Sequence, residues 1–600
     1  MDYTTLRNLK TSVFEDAADG YRNASNMASA AKESLERRTG SAMRKSLSGK
    51  ATEAALSQLR ELAADFHYTQ IECGVIGTAL KALAADLNSA KKKLDAAVEG
   101  ATAEKLTVEK DGSVTYPEGG DAYQGKTPPG GTASGVTDAT AKAINRQAAR
   151  FHPNPYYARA QEYADRITAA LQEATAADEK WAPKLRQLKA DDDLTVSAAD
   201  MADALKDTEA VRKSAESYLK GIKPPPKNGD PEDNAEWWKH LSEEERAAYI
   251  SLRPASIGAL DGLPAAVRDE ANRTVLAEKR SEFELRLNAI PREPSQFVSV
   301  GGRGDMAYTQ EWLDWHAKYS DDKDYLEGKL KGMRDIQKRF DRTGQDGLPE
   351  AYLLGFDPDG EGKGRIILAN GNPDTADHTA IYIPGTTTNI ETIGEKPDHS
   401  DLGRSERLWE RSHQLAPDKS ISTITWLDYD APSSIVPEAM QDRQAEKGAP
   451  ILHQFLEGNR TAHKYATGDT GHTTVVGHSY GSTLIGDTAK TAIWGETPIP
   501  ADDVLVAGSP GMQVKRAADL GIDPKHMWAM GGGGSDILVR YGGSAAGLGD
   551  DWVVPTDPEF GGNILKSDAG DHGAFWDNDS ISLKNQAAVV TGKYHMVEHD

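Results

Sequence analysis

Cysteine is nearly absent from this chain. Its 600 residues include one, Cys73, so no intrachain disulfide can form and no thiolate metal site can be assembled. Cys73 falls in a helical apolar pattern and reads as buried filler. Long apolar runs are also missing. No stretch approaches the roughly 18 apolar residues that a membrane-crossing helix needs, so no transmembrane segment is expected. The opening residues, MDYTTLRNLKTSVFEDAADG, lack the apolar core of a secretory signal. The expectation is a cytoplasmic protein, or one exported without a classical signal peptide. Positive charge is in short supply: 69 Lys and Arg stand against 93 Asp and Glu, for −24 at pH 7. A field of that sign repels phosphate backbones, so nucleic acid is not an expected partner. Anionic membrane surfaces are disfavoured for the same reason.

Several chemistries lack their residues. The HxxH and HExxH zinc spacings do not occur, and no Gly-rich phosphate loop precedes a helix with Lys-Ser/Thr. Asp357-Pro358-Asp359-Gly360 lacks the later ligands of a calcium loop and reads as a hairpin turn. Arg303-Gly304-Asp305 reads as a plain loop. No cofactor and no metal are expected.

What is present divides by composition. A 600-residue chain is too long for one core, so two to four domains are expected. Residues 1–100 read as a helical hairpin with its break at Ser46 to Gly49. Residues 101–138 are rich in Gly, Pro and Thr and read as a flexible linker, opened by a small hairpin around Asp111-Gly112. Helix returns over 139–222, with breaks at His152 to Pro155 and near Asp191 to Asp193. A Pro-rich linker covers 223–232, and a helical lead-in or lid covers 233–344, with Ser242 and Glu245 spaced as a capping box.

From 345 to 600 the period changes. The runs RIILA, TAIYIP, ISTITWL, TTVVG, VLVAG and HMWAM read as strands, and helical segments follow several of them, including MQVKRAADL after Gly511. This alternation predicts an α/β fold with a mostly parallel sheet covered by helices on both faces.

The pentapeptide Gly477-His478-Ser479-Tyr480-Gly481 matches G-x-S-x-G. It follows HTTVV and precedes STLIGDTAKTAIWG, the strand–turn–helix setting of a nucleophile elbow. The turn is tight enough to require glycine on both sides of the serine, and the helix N-terminus favours developing negative charge. A serine hydroxyl needs a base held by a carboxylate, in the chain order Ser, Asp, His for this fold. His572 lies in a loop before a final helix, where the base belongs. His526 opens a strand and is predicted far from the site; His595 and His599 lie in an end expected to fray. Asp536 follows a strand and a Gly run and is the candidate acid, with Asp550, Asp551 and Asp557 as rivals. Asp557 is a candidate for fixing a turn instead. Asp502 and Asp503 precede their strand and belong at the wrong end of the sheet. The oxyanion hole needs two backbone N–H groups. Tyr480 is expected to supply one and Thr386 the other, with Gly385 and Thr387 as alternatives.

At these residues the sequence resembles the actinobacterial α/β hydrolase family 8, of unassigned activity. The resemblance rests on WWKHLSEEERAAYISLRPASIGALDGLPAAVRDEANR, TAIYIPGTTT, TITWLDYDAP, VVGHSYGS, VAGSPG and HGAFWDNDSISLKNQAAVVTG. It implies an α/β-hydrolase fold with a helical lead-in and supplies no substrate. A looser similarity is to neutral lipases, whose elbow is followed by G-x-P, an Asp-Ile/Val pair and a DH-aromatic segment. Here Gly508-Ser509-Pro510, Asp536-Ile537 and Asp571-His572 through Phe575 stand in that order. The N-terminal hairpin is similar to the WXG-type substrates of type VII secretion, with Leu47 where those have Trp. That similarity implies a possible helical protein partner, and export by that route. A Y-x-x-x-E pattern occurs at Tyr68–Glu72 and Tyr594–Glu598.

The expected function is a serine hydrolase acting on an ester or lipid-like small molecule through Ser479, His572 and Asp536. Esterase is preferred to amidase because nothing marks a peptide groove. The competing expectation is a non-catalytic or secreted interaction protein that uses the fold as a scaffold.

Overall fold

A computed structural model describes residues 1–122, 124–188, 195–227, 229–300, 306–360, 363–395, 399–435, 437–491 and 499–600. The predicted break at Asp191 to Asp193, Asn228 of the Pro-rich linker, the Arg303-Gly304-Asp305 loop and the end of the helix predicted after Ser479 lie outside the described residues.

Strands buried on both faces need continuous apolar sequence, and Ile421–Leu427 is buried at every position. It belongs to an eight-stranded sheet formed by β1 (Ala351–Asp357), β2 (Arg365–Asn370), β3 (His378–Ile383), β4 (Ile421–Leu427), β5 (His472–His478), β6 (Asp503–Ala507), β7 (Met527–Met530) and β8 (Asn563–Ile564). The order across the sheet is β8-β7-β6-β5-β3-β4-β2-β1. The strands from β3 to β8 pair in parallel, and β2 runs antiparallel to both β1 and β4. Each of the six predicted strands is present. β1 and β8 are additional; β8 is two residues long, too short to show a period. The predicted turn at Asp357 to Gly360 closes the β1–β2 hairpin. This is the α/β-hydrolase fold, with helical sequence before it.

Helices α1 (Ala265–Ala289), α2 (Gln310–Asp341), α3 (Asp401–Leu415), α4 (Arg443–Thr467), α5 (Tyr480–Lys490), α6 (Ser535–Ala546) and α7 (Ile581–Val590) surround the sheet. MQVKRAADL does not form the predicted helix. It contains only the short turn Ala517–Leu520, preceded by Gln513 at φ 55°, a conformation that no helix tolerates. The chain end is ordered as well. The Asn585 side chain donates to the Glu598 carbonyl at 3.0 Å, and Leu565 bridges to His599.

Within 233–344, the described helices α1 and α2 pack into the core of the sheet. Phe283 of α1 and Leu326, Met333 and Ile336 of α2 join the same core as Leu353 and Phe356 of β1. Asp269 accepts from the Leu353 N–H at 2.7 Å, and the Asn272 side chain donates to the Leu353 carbonyl at 2.9 Å. These helices complete the β1 edge of the core. The capping box at Ser242 and Glu245 is present.

The chain divides into two compact units, which cut across the segments expected from composition. One comprises Met1–Ala30, Phe66–Leu194 and Asp203–Pro224; the other comprises Ala31–Asp65, Thr195–Ala202 and Pro225–Asp600. Residues 31–65 therefore group with the sheet rather than with the hairpin. In the first unit, Ser12–Glu33 and Lys50–Ala103 contribute antiparallel helix: Ser25 Oγ donates to the Gln70 carbonyl at 2.7 Å, and Lys81 pairs with Asp19 at 3.4 Å.

The stretch 101–138, expected as a linker, contains regular structure among its described residues. Thr107–Val108, Val114–Tyr116 and Gly131–Ala133 form a three-stranded antiparallel sheet, turning at Gly112 with φ 85°. Buried Asn154 holds the Pro117 and Pro129 carbonyls at 2.8 and 3.0 Å. Leu106, Val114, Tyr116 and Ala133 are buried there, and side-chain hydrogen bonds to backbone add to that small core. Among the described residues, no helix is long and apolar enough to cross a membrane.

If α1 is part of the core, Phe283→Ala should cost about 3–5 kcal/mol, the usual price of a buried Phe truncation. Urea unfolding followed by tryptophan fluorescence measures it. A loss below about 1 kcal/mol would mark the lead-in as a separable cover.

Candidate active site

Ser479 stands at the end of β5 and caps α5. Its backbone adopts φ 53° and ψ −127°, a region that costs a non-glycine residue about 1–3 kcal/mol. The surroundings hold it there. Its N–H donates to the Ala507 carbonyl at 3.0 Å, and Ser482 Oγ donates to its carbonyl at 2.6 Å. A Cβ on Gly477 would lie 2.6 Å from Ile485, and one on Gly481 would lie 2.3 Å from the Ile383 carbonyl oxygen. The two glycines are thus required against α5 and the end of β3, not against each other.

The register pairs Gly477 with Ile383, so the loop after β3 arrives beside Ser479. A Cβ on Gly385 would sit 2.7 Å from the Ser479 Cβ. Thr387, at φ 70°, already gives its N–H to the Pro432 carbonyl at 2.7 Å. That removes it as an oxyanion donor and leaves Thr386 and Gly385. Tyr480 opens α5, where the first N–H groups have no partner within the helix.

Asp536 occupies the first turn of α6, after Gly534 at φ 55°. His572 Nδ1 donates to Asp536 Oδ1 at 2.6 Å, and the Gly532 N–H donates to Oδ2 at 2.6 Å. A carboxylate on Nδ1 fixes the tautomer and makes Nε2 the basic nitrogen. Ser479, Tyr480, Thr386 and His572 line one cavity of about 590 Å³. Ile435, Ala439, Met440, Leu538, Val539 and Leu548 form its apolar walls. Among the described residues, none from 233–344 lines it.

The rivals are elsewhere. His526 bonds Asp503 at 2.9 Å, in a cluster with His472, Trp528 and Tyr594 at the N-terminal ends of β5 to β7. Asp502 accepts from the Thr473 N–H at 2.8 Å at that same end. Asp557 accepts from the Val554 N–H at 2.9 Å and pairs with Arg540, which fixes a turn. Asp551 is exposed and pairs with Lys515. His595 belongs to the short turn Tyr594–Met596, after α7.

Sequence reasoning missed a supporting chain of polar groups. His478 Nε2 donates to the His572 carbonyl at 2.8 Å, and its Nδ1 accepts from Arg404 Nη1 at 3.2 Å. Burial, with the Arg404 charge beside it, holds His478 well below the usual histidine pKa, so the ring is neutral. Arg404 pairs with Asp401 at 3.1 Å, and Asp401 accepts from Tyr382 at 2.7 Å and Thr388 at 3.0 Å. The only signal was a histidine inside the pentapeptide. Gly508 was noted only as part of a G-x-P pattern. At φ 61°, its Cβ would fall 2.5 Å from Asp536 Oδ1 and 2.8 Å from His572 Nδ1.

A family model described as an alpha/beta hydrolase matches residues 359–541. An uncharacterised protein of Mycobacterium tuberculosis is 27% identical over 402 residues, covering 62% of this chain and 56% of that protein. One from Mycobacterium bovis is 28% identical over 193 residues, covering 32% of this chain and 63% of that protein. The chain thus spans little more than half the length of the curated relatives it matches. Among solved structures, a Pyrobaculum calidifontis esterase matches with TM-score 0.27 and 13% identity, over 47% of this chain and 96% of that one. A fungal esterase from Rhizomucor miehei matches with TM-score 0.21 and 11% identity, over 45% and 84%. Likeness at this level carries nothing about the reaction.

Gly508→Ala should push Asp536 and His572 apart while leaving the sheet intact. An ångström of displacement in such a pair costs about a hundredfold in rate. Labelling of Ser479 by a fluorophosphonate, timed against unchanged circular dichroism, reads the effect. A wild-type labelling rate would show that the Asp536–His572 bond is not needed.

Proposed function

We propose that this chain is a serine hydrolase that cleaves an ester or related acyl bond of a small molecule. The observation that carries the reading is the 2.6 Å bond from His572 to Asp536 beside Ser479, with Ser479 and His572 facing one cavity. Ser479 Oγ attacks the carbonyl carbon, and His572 Nε2 takes its proton. Asp536 keeps the ring oriented and stabilises the imidazolium that forms. The N–H groups of Tyr480 and Thr386 receive the oxyanion, which lies at the positive end of α5. His572 returns the proton to the leaving alcohol as the tetrahedral intermediate collapses to an acyl-enzyme. Water, activated by the same His572, attacks the acyl carbon and releases the acid and free Ser479.

The expected labelling pattern with a fluorophosphonate is simple. Wild type reacts, and Ser479→Ala does not. On p-nitrophenyl esters of graded length, Asp536→Asn should lower turnover by about ten-thousandfold, whereas Asp557→Asn should alter it little. Failure of the folded wild type to label would point to a scaffold without hydrolytic chemistry. Loss of turnover in Asp557→Asn, with Asp536→Asn active, would move the acid.

A further inference from the structure

The mouth of the Ser479 cavity carries an exposed apolar rim. Ile435 is 70% exposed, Leu538 74%, Tyr541 68% and Trp552 69%; Met440 and Ile537 are exposed as well. Ile435, Met440 and Leu538 line the cavity, and Ile537, Tyr541 and Trp552 stand outside its lining on α6 and the adjoining turn; scattered exposed apolar residues are ordinary, but such a cluster beside one cavity is not. Three elements build it. α6 supplies Ile537, Leu538 and Tyr541, and it packs against both the turn Glu438–Met440 and the turn Asp550–Trp552. Trp552 is held in the left-handed region at φ 69°, a conformation a bulky residue adopts only under constraint.

The rim and the cavity are continuous, since Ile435, Met440 and Leu538 belong to both. Whatever rests on the rim is therefore in contact with whatever enters the cavity. Charge narrows the choice. Arg540, the one basic residue of α6, is paired with Asp557, and Asp551 beside Trp552 is paired with Lys515. Neither cation is left to draw in an anionic surface. A second copy of the chain would bring its own −24 charge against this one. Tyr541 and Trp552 are the side chains best suited to a lipid–water boundary, with an apolar body and a polar tip.

We propose that the rim docks on an uncharged or zwitterionic lipid surface, and that the substrate is a lipid ester drawn from that surface into the cavity. This rests on the hydrolase reading above. Apolar side chains of α6 and the two turns enter the headgroup boundary, as an interfacial helix does. The acyl chain then passes along Leu538 and Met440 to reach Ser479 without crossing water.

The test separates docking from reaction. Full-length Ser479→Ala protein is floated with phosphatidylcholine vesicles, beside the same protein carrying Tyr541→Ser and Trp552→Ser. Retention of the first and a drop of about tenfold or more in the second are expected, because two large apolar side chains leave the boundary. In a Ser479 background, the Tyr541→Ser, Trp552→Ser protein should still react with a water-soluble fluorophosphonate at the wild-type rate, which shows that it is folded. Labelling of wild type with no vesicle retention overturns the lipid inference and leaves the hydrolase standing. Retention without labelling removes the reaction and this inference with it. Retention only when phosphatidylglycerol is present overturns it in favour of electrostatic docking. A rim-dependent dimer in sedimentation velocity overturns it in favour of a second copy.

Discussion

The backbone of Ser479 at φ 53° and ψ −127° is the constraint around which the candidate site is arranged. A turn this tight between β5 and α5 brings the helix down onto the sheet, and space must be cleared on each side. Gly477 clears it against Ile485, Gly481 against the β3 carbonyl, and Gly486 against the Met512 carbonyl, where a Cβ would sit 1.6 Å away. The neighbouring strands are set by the same register. β3 ends level with Gly477 and delivers the Gly385–Thr386 turn beside the serine. Strain at one residue is thus sustained by close packing at several others, as is usual where a fold over-determines a costly conformation.

The second dependence is electrostatic. Asp536 would be an expensive buried carboxylate without the Gly532 N–H and the His572 ring. His572 is in turn fixed from behind, where its carbonyl accepts from a neutral His478. That ring is held by Arg404, and Arg404 by Asp401. The chain of contacts runs from β3 and α3 to the loop before α7, so elements far apart in sequence set one imidazole. At the opposite end of the sheet, Asp503 gathers His472, His526, Trp528 and Tyr594. Two clusters of histidine and aspartate close the two ends, and one of them faces a cavity with Ser479.

Much of this was legible in the sequence because the signals were local. ISTITWL and TTVVG are continuous apolar runs, and the G-x-S-x-G turn prescribes its own neighbours. The candidates Ser479 and Asp536 were picked out because each follows a predicted strand, and His572 because it lies in a loop before a predicted final helix. What stayed hidden depends on partners distant in sequence. The loop between the second and third strands of 101–138 is tied at Pro117 and Pro129 by Asn154, and composition does not show a carbonyl being capped from beyond the segment. That the lead-in is helical does not say which surface it covers; Phe283 and Leu353 share one core. Arg404 and His478 were invisible because an isolated Arg and an isolated His carry no pattern. The apolar face of α6 gave no expectation from the sequence, and only its place beside the cavity gives it meaning.

A crystal structure of the protein after reaction with a fluorophosphonate tests the central claim most directly. The account predicts phosphorus bonded to Ser479 Oγ, a phosphonyl oxygen within hydrogen-bond reach of the Tyr480 and Thr386 N–H groups, and His572 Nε2 turned toward the adduct with its bond to Asp536 intact. An adduct on another residue, or a His572 ring parted from Asp536 and facing away from Ser479, would contradict it.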